Sequence, residues 1–481
     1  MKNKSASLSY LSVIVCVMTI ALAPSAYSDP ANNTAPAEVG THNPLGIPAE
    51  NRVNAGGATP LPPPDEMATW WKGPYLTGDW GGLRQQLVDE GVTPYIFYNA
   101  IVAGNPTGGT RPGGGPQYAH DFNFGLTFDM QKLTGWEGAE INVNGIDRAG
   151  QDISRDIGGV YSQMQLVGGQ NIFLYDLTLT QKFLNDVGRI KVGRMSAGDD
   201  FATSPLYGYY LNNGIDGNIR SVLFDTRFSA YPFPVWGAVL RFDPTPEFNS
   251  LTGLFQVSDR MFNRQLNGVD FGIRSYDGYS LVQQFGWTPE FDKQPVEAPV
   301  ADSQDPKSMK GAPKMVGMPG HYFIGGYWSN SDYSQFGSTQ KTRISYGFYA
   351  HADQMVYRAA PGSDRGLTVF AVAALDPQPN LAIVPFQLSG GAIYKGLISG
   401  RPDDRAVFGV IYGNFSNDYA DSVETQLGGL PTEEIDLEWG YRVQASPFAY
   451  IQPDVELVTN PGGSANIPDA VVLGAQFGLK F

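Results

Sequence analysis

Residues 470–481 alternate between two faces of an extended chain. Val471, Leu473, Ala475, Phe477, Leu479 and Phe481 fall on one face, and Val472, Gly474, Gln476, Gly478 and Lys480 on the other. A strand that crosses a bilayer needs about 9–11 residues, with apolar side chains toward lipid and polar or small ones toward the lumen. The edge of a soluble sheet can carry the same pattern, so the rest of the chain decides.

The start of the chain reads as a secretory signal, residues 1–28. Lys2 and Lys4 precede an apolar run over 11–22, and Ala26-Tyr27-Ser28 supplies a small-x-small cleavage site. That run is too short for a membrane-spanning helix, which needs about 20 residues, and no later window is longer. The single cysteine, Cys16, lies inside the signal and leaves with it. The mature protein therefore has no disulfide framework and no thiolate chemistry. Its 30 basic and 47 acidic residues give a net charge of −17. Such a balance argues against nucleic acid as a partner, because phosphate binding requires clustered Lys and Arg.

Residues 29–74 form a Pro-, Ala- and Asn-rich leader that cannot bury enough apolar area to order itself. The barrel is expected over 75–481, with a short helix region at 75–91 and strands over 92–481. In the helix region Asp79 is a fitting N-cap and Gly91 a fitting stop. Beyond Val92 alternation replaces helical period. Phe122, Phe124, Leu126 and Phe128 oppose Asp121, Asn123, Gly125 and Thr127, and Ile435, Leu437, Trp439 and Tyr441 oppose Glu434, Asp436, Glu438 and Arg442. Roughly sixteen or seventeen segments qualify, among them 223–230; the upper count breaks the even-strand rule of closed bacterial barrels, so one assignment is expected to be in excess. Three carboxylates in a row at alternate positions would ruin a dry core, so Glu434, Asp436 and Glu438 are expected to face water. A sheet of this size must close, and closure leaves an aqueous channel. The fold class is all-β: a transmembrane antiparallel β-barrel of about 16 strands.

Two stretches carry a family resemblance. Thr77-Gly78-Asp79-Trp80-Gly81-Gly82-Leu83-Arg84 resembles the N-terminal signature of the carbohydrate-selective porins of the OprB family. Gly168-Gly169-Gln170, Leu174-Tyr175, Lys191-Val192-Gly193-Arg194, Ala197-Gly198-Asp199-Asp200-Phe201, Asn212-Asn213 and Gly217-Asn218 match as well, as does the final strand. The resemblance covers residues 75–481. It implies an outer-membrane channel for passive diffusion of sugars or related polyols, with no cofactor. The segment 294–320, Pro- and Lys-containing without apolar period, departs from the pattern and reads as a mobile loop.

A sugar channel needs planar hydrogen-bonding groups and aromatic faces. Parity points Arg189, Lys191, Asp436, Glu438 and Arg442 into the lumen. Arg194 lies where a strand breaks into a matching loop, and Arg220 and Arg227 lie at the strand expected to follow. These eight are the candidate pore-lining residues, and substituting Arg189, Lys191 or Arg442 should alter ion selectivity. Tyr207, Tyr209 and Tyr210, in an aromatic and amide-rich loop, offer either a sugar-stacking surface or an interfacial girdle. An enzyme is disfavoured: the histidines outside the leader, His120, His321 and His351, sit in no catalytic motif, no Cys/His cluster is expected to hold zinc, and no metal site is expected. A plugged receptor would need about 22 strands. A soluble sugar-binding β protein would need no detergent. Small hydroxy acids such as quinate are the alternative solutes, and a homo-oligomer is compatible with the chain.

Overall fold

The computed structural model describes residues 70–166, 168–296, 314–427 and 429–481. The signal peptide and the leader up to residue 69 lie outside the described residues. Leu83–Asp89 forms helix α1, entered through a tight turn at Trp80–Gly82. Asp79 accepts a hydrogen bond from the Gln85 amide at 3.2 Å. Gly91 ends the segment at φ +94°, where a Cβ would stand 2.8 Å from that of Lys132.

The chain then runs as β1 (Val92–Thr107), β2 (Gln117–Asp129), β3 (Ala139–Gly150), β4 (Ile172–Phe183), β5 (Gly188–Met195) and β6 (Val235–Thr245). Next come β7 (Phe248–Val257), β8 (Gly278–Trp287), β9 (Glu290–Val296), β10 (Lys314–Ser334), β11 (Lys341–Arg358) and β12 (Gly366–Leu375). The last are β13 (Phe386–Lys395), β14 (Arg405–Asn414), β15 (Glu433–Ser446), β16 (Ala449–Thr459) and β17 (Ala470–Lys480). Sequence neighbours other than β8 and β9 pair antiparallel, and β1 also pairs with β17, which closes the barrel. β8 pairs directly with β10. β9 pairs only with the first residues of β10, so it extends one hairpin and is not a stave. The barrel therefore has sixteen strands among the described residues. None of their helices is long and apolar enough to cross a membrane.

Two expectations are corrected. Residues 223–230 are no strand: Arg220–Asp225 is a short helix inside the loop 196–234, so this is the excess seventeenth segment. Its apolar residues pack against the inner wall, Phe228 buried there and Leu223 partly buried beside it. The described ends of the segment 294–320 are paired strand, Lys314 opposite Val296 and Val316 opposite Gln294.

Leu240, Leu254, Leu281, Phe285, Ile324, Phe348, Trp439 and Leu473 form an exposed apolar belt, of the kind that outer-membrane barrels turn toward lipid. The interior is not uniformly polar. From β6 to β14 inward side chains such as Val239, Phe255, Val282, Phe323, Tyr349, Phe370 and Ile411 pack with Phe201, Tyr210, Ile215 and Phe228 of the loop 196–234. Area removed from water, at about 25 cal/mol per Å², holds this loop inside the barrel.

The closing seam has its own clamp. Arg84 donates to the Phe481 carbonyl oxygen at 2.7 Å and to that of Pro94 at 3.3 Å. Its guanidinium lies 3.9 Å from the Tyr75 ring centroid and 4.2 Å from that of Trp80. The Leu76 amide bonds the Lys480 carbonyl at 2.7 Å. Arg84→Ala is expected to cost about 2–4 kcal/mol, from charged hydrogen bonds and cation–π contact together. The check is a lower midpoint for heat-modifiable migration in electrophoresis.

Candidate functional site

The longest loops among the described residues, 151–171, 196–234 and 258–277, lie at one end of the barrel, and short turns such as 184–187, 246–247 and 447–448 at the other, the end that is periplasmic in outer-membrane barrels. Two long loops, 151–171 and 196–234, fold inward, and the residues that hold them come from β15, β16 and β2. Glu434 accepts from the Val160 amide at 2.8 and 3.0 Å, from Tyr161 at 3.1 Å, and from Gly462. Glu438 accepts from the Leu211 and Asn212 amides at 2.7 and 3.2 Å. The Asn212 side chain donates to Asp436 and Glu456, each at 2.7 Å, and Gln163 donates to Asp436 at 3.2 Å. The three carboxylates on β15 are completely buried. The expectation that they face water is corrected: loop amides from more than 200 residues away supply the donors that burial demands.

Arg442 is the cation of this array. It donates to Gln452 at 2.7 Å, to the Gly208 carbonyl at 2.8 Å and to Gln476 at 3.2 Å. Its guanidinium lies between the rings of Tyr209 and Tyr450, at 4.7 and 4.2 Å. Gln476, expected to look into the channel, points inward but is sealed beneath this group. On the β2 side Tyr231 donates to both oxygens of Asp121 at 2.7 Å. Burial and that carboxylate push the Tyr231 hydroxyl well above its usual range, so it keeps the proton it donates. Arg148 pairs with Asp121 at 3.2 Å and holds the Gly168 and Gln165 carbonyls, each at 3.1 Å.

The inward loops leave a cavity of about 820 Å³ beneath the long-loop mouth. Its wall carries Arg155, Arg220 and Arg264, the polar groups Gln151, Asp152, Ser162, Gln170 and Asn213, and the rings of Phe228, Tyr231, Phe233 and Phe262. Phe233 and Phe262 meet edge to face at 5.1 Å. Burial lowers the Arg220 pKa to about 10, which leaves it cationic at neutral pH. Planar donors, carboxamides and ring faces within one space suit a small polyhydroxylated solute.

The family model of the carbohydrate-selective porins, OprB family, matches residues 114–481. The chain belongs to that family. QuiX of Acinetobacter baylyi, a protein proposed to be a porin, is 24% identical over 438 residues, covering 85% of this chain and 93% of QuiX. Porin B of Pseudomonas aeruginosa is 22% identical over 440 residues, covering 85% of this chain and 91% of its own. The high-pH structure of Pseudomonas putida OprB superposes with a TM-score of 0.76 at 23% identity, covering 85% of this chain and 99% of that one. This OprB-family porin is thus an outer-membrane channel and not an enzyme.

Of the eight residues singled out as pore-lining in the porin, Arg220 alone lies on this cavity wall. It opens a short helix and does not flank a strand. Arg189 faces inward at the short-turn end, 3.3 Å from Asp243, and Lys191 pairs with the buried Asp200. Arg194 holds the Pro234 and Gly268 carbonyls at 2.9 and 3.2 Å. Arg227 bonds Ser331 at 2.7 Å and pairs with Asp259 at 2.5 Å. Asp436, Glu438 and Arg442 anchor loops. The stacking surface at Tyr207, Tyr209 and Tyr210 is also corrected. All three rings are under 5% exposed, so no face is open to a sugar. Tyr207 bonds His351 at 2.8 Å, Tyr210 donates to the Phe408 carbonyl at 2.9 Å, and Tyr209 lies against Arg405 and Arg442. Arg155, Arg264, Phe233 and Phe262 were missed because they sit in loops, where strand parity says nothing. Gln170 and Asn213 lay inside the matched motifs, which was the available signal.

Proposed function

We propose that the porin gives passive passage to glucose-type monosaccharides or related polyols through the cavity bounded by loops 151–171 and 196–234. The mixed lining of that cavity carries the reading: arginine and carboxamide groups for hydroxyls, and ring faces for the apolar sides of a pyranose. Its contacts are many and individually weak, as a channel needs if the solute is to leave again. The test is swelling of liposomes carrying the purified protein in isosmotic sugars. Swelling no faster than that of empty liposomes in every sugar would overturn the proposal.

A second reading rests on charge. Three arginines and one aspartate line the cavity of a strongly acidic protein, which favours a small hydroxy acid such as quinate. Arg220→Ala separates the two. If hydroxy acids are the solutes, their flux should fall several-fold while glucose-driven swelling changes little. If sugars are the solutes, swelling in sugar should fall and quinate should pass poorly in both proteins.

A further inference from the structure

His321 and His351 are thirty positions apart in sequence, yet antiparallel pairing places them on one inward patch of the barrel wall. His321 stands opposite Asp353, and Phe323 opposite His351. One ligand-capable atom from each of His321, His351 and Asp353 lies within 4.8 Å of the other two. Asp353 Oδ2 is 2.8 Å from His351 Nε2 and 3.4 Å from His321 Nδ1.

We propose that these three side chains bind a divalent transition-metal ion of the Zn2+ type. Two imidazoles and a carboxylate are the donor set that such ions favour over Mg2+ or Ca2+. Bonds of about 2.0–2.1 Å in a tetrahedron put ligand atoms about 3.3 Å apart, so only small side-chain shifts are needed. The support around the ligands is that of a metal centre. The Tyr207 hydroxyl meets His351 Nδ1 at 2.8 Å, which leaves Nε2 turned toward the cluster. Phe323 stacks on the His351 ring at 4.8 Å and 14°, fixing its plane. Asp353 already bridges the two imidazoles, at 2.8 Å and 3.4 Å, so an ion would take over contacts that now converge on one carboxylate oxygen. Three protein ligands leave a fourth position for water or solute.

Tyr207 belongs to the inward loop 196–234, so the ion would tie that loop's anchor to the wall. The test is titration of the purified full chain, free of any affinity tag, with ZnCl2 by calorimetry and with Co2+ by absorption. One Zn2+ per chain is expected, with removal by EDTA. His321→Ala and Asp353→Asn each disturb a direct ligand and should weaken binding by more than the roughly 10–100-fold typical of losing an outer-shell partner. Zn2+ should also raise the midpoint of heat-modifiable migration in the parent protein and not in the variants. No saturable uptake, or unchanged affinity in both variants, would overturn the site. Should a variant fail to fold, the parent Co2+ spectrum decides: a four-coordinate nitrogen-ligated band supports the site, and an aquo-ion spectrum refutes it.

Discussion

Glu438→Ala is expected to raise single-channel conductance several-fold in planar bilayers and to blunt discrimination among solutes. The carboxylate holds the Leu211 and Asn212 amides at the point where the loop 196–234 crosses the barrel. Each buried donor left unpaired costs about 1–3 kcal/mol, so the docked loop loses several kcal/mol relative to a hydrated one. An opposing effect exists, because Glu438 has Asp436, Asp454 and Glu456 as acidic neighbours and its removal relieves repulsion. Glu438→Gln distinguishes the two effects. It sheds the charge and keeps one acceptor oxygen where the carboxylate offers two, so its conductance should fall between those of the parent and Glu438→Ala. Parent-like conductance in Glu438→Ala would show that the loop is held by its apolar contacts alone.

The largest loss of stability is expected from Arg442→Ala. The change removes three hydrogen bonds and two ring contacts, and it leaves the neighbouring buried carboxylates without their nearby cation. Breaking a buried charge array by removing one member costs about 3–5 kcal/mol. The folded, fast-migrating band should therefore convert at a clearly lower temperature. Arg442→Lys restores the charge without the flat fork that reaches Gln452, Gly208 and Gln476 together, and should fall between. An unchanged midpoint in Arg442→Ala would refute the anchoring role.

Much of the wall was legible in advance. Alternation at 121–129 and 434–443 located β2 and β15 and told their two faces apart, because a strand's side-chain period is two wherever it lies. The even-count rule identified one segment too many, and 223–230 proved to be that segment. What parity could not tell is what an inward side chain meets. Asp436 and Arg442 point inward as expected, yet they contact Asn212 and Gly208 and not open water. The cavity wall was legible only through Arg220 and the motif residues Gln170 and Asn213. Phe233, Phe262 and Arg264 sit in irregular loops whose path local pattern does not encode.

By itself the sequence determined an exported chain, a porin-size all-β barrel and a closing strand over 470–481. These follow from local periodicity and composition, which bilayer thickness and backbone hydrogen bonding translate directly into strands. Tertiary structure alone decided how the lumen is filled. Contacts such as Glu438 with Leu211, or His321 with Asp353 and His351, bring together residues that have no local relation. The free energy that places an inward loop is a sum of such long-range burial and pairing terms, and these exist only once the barrel has closed around it.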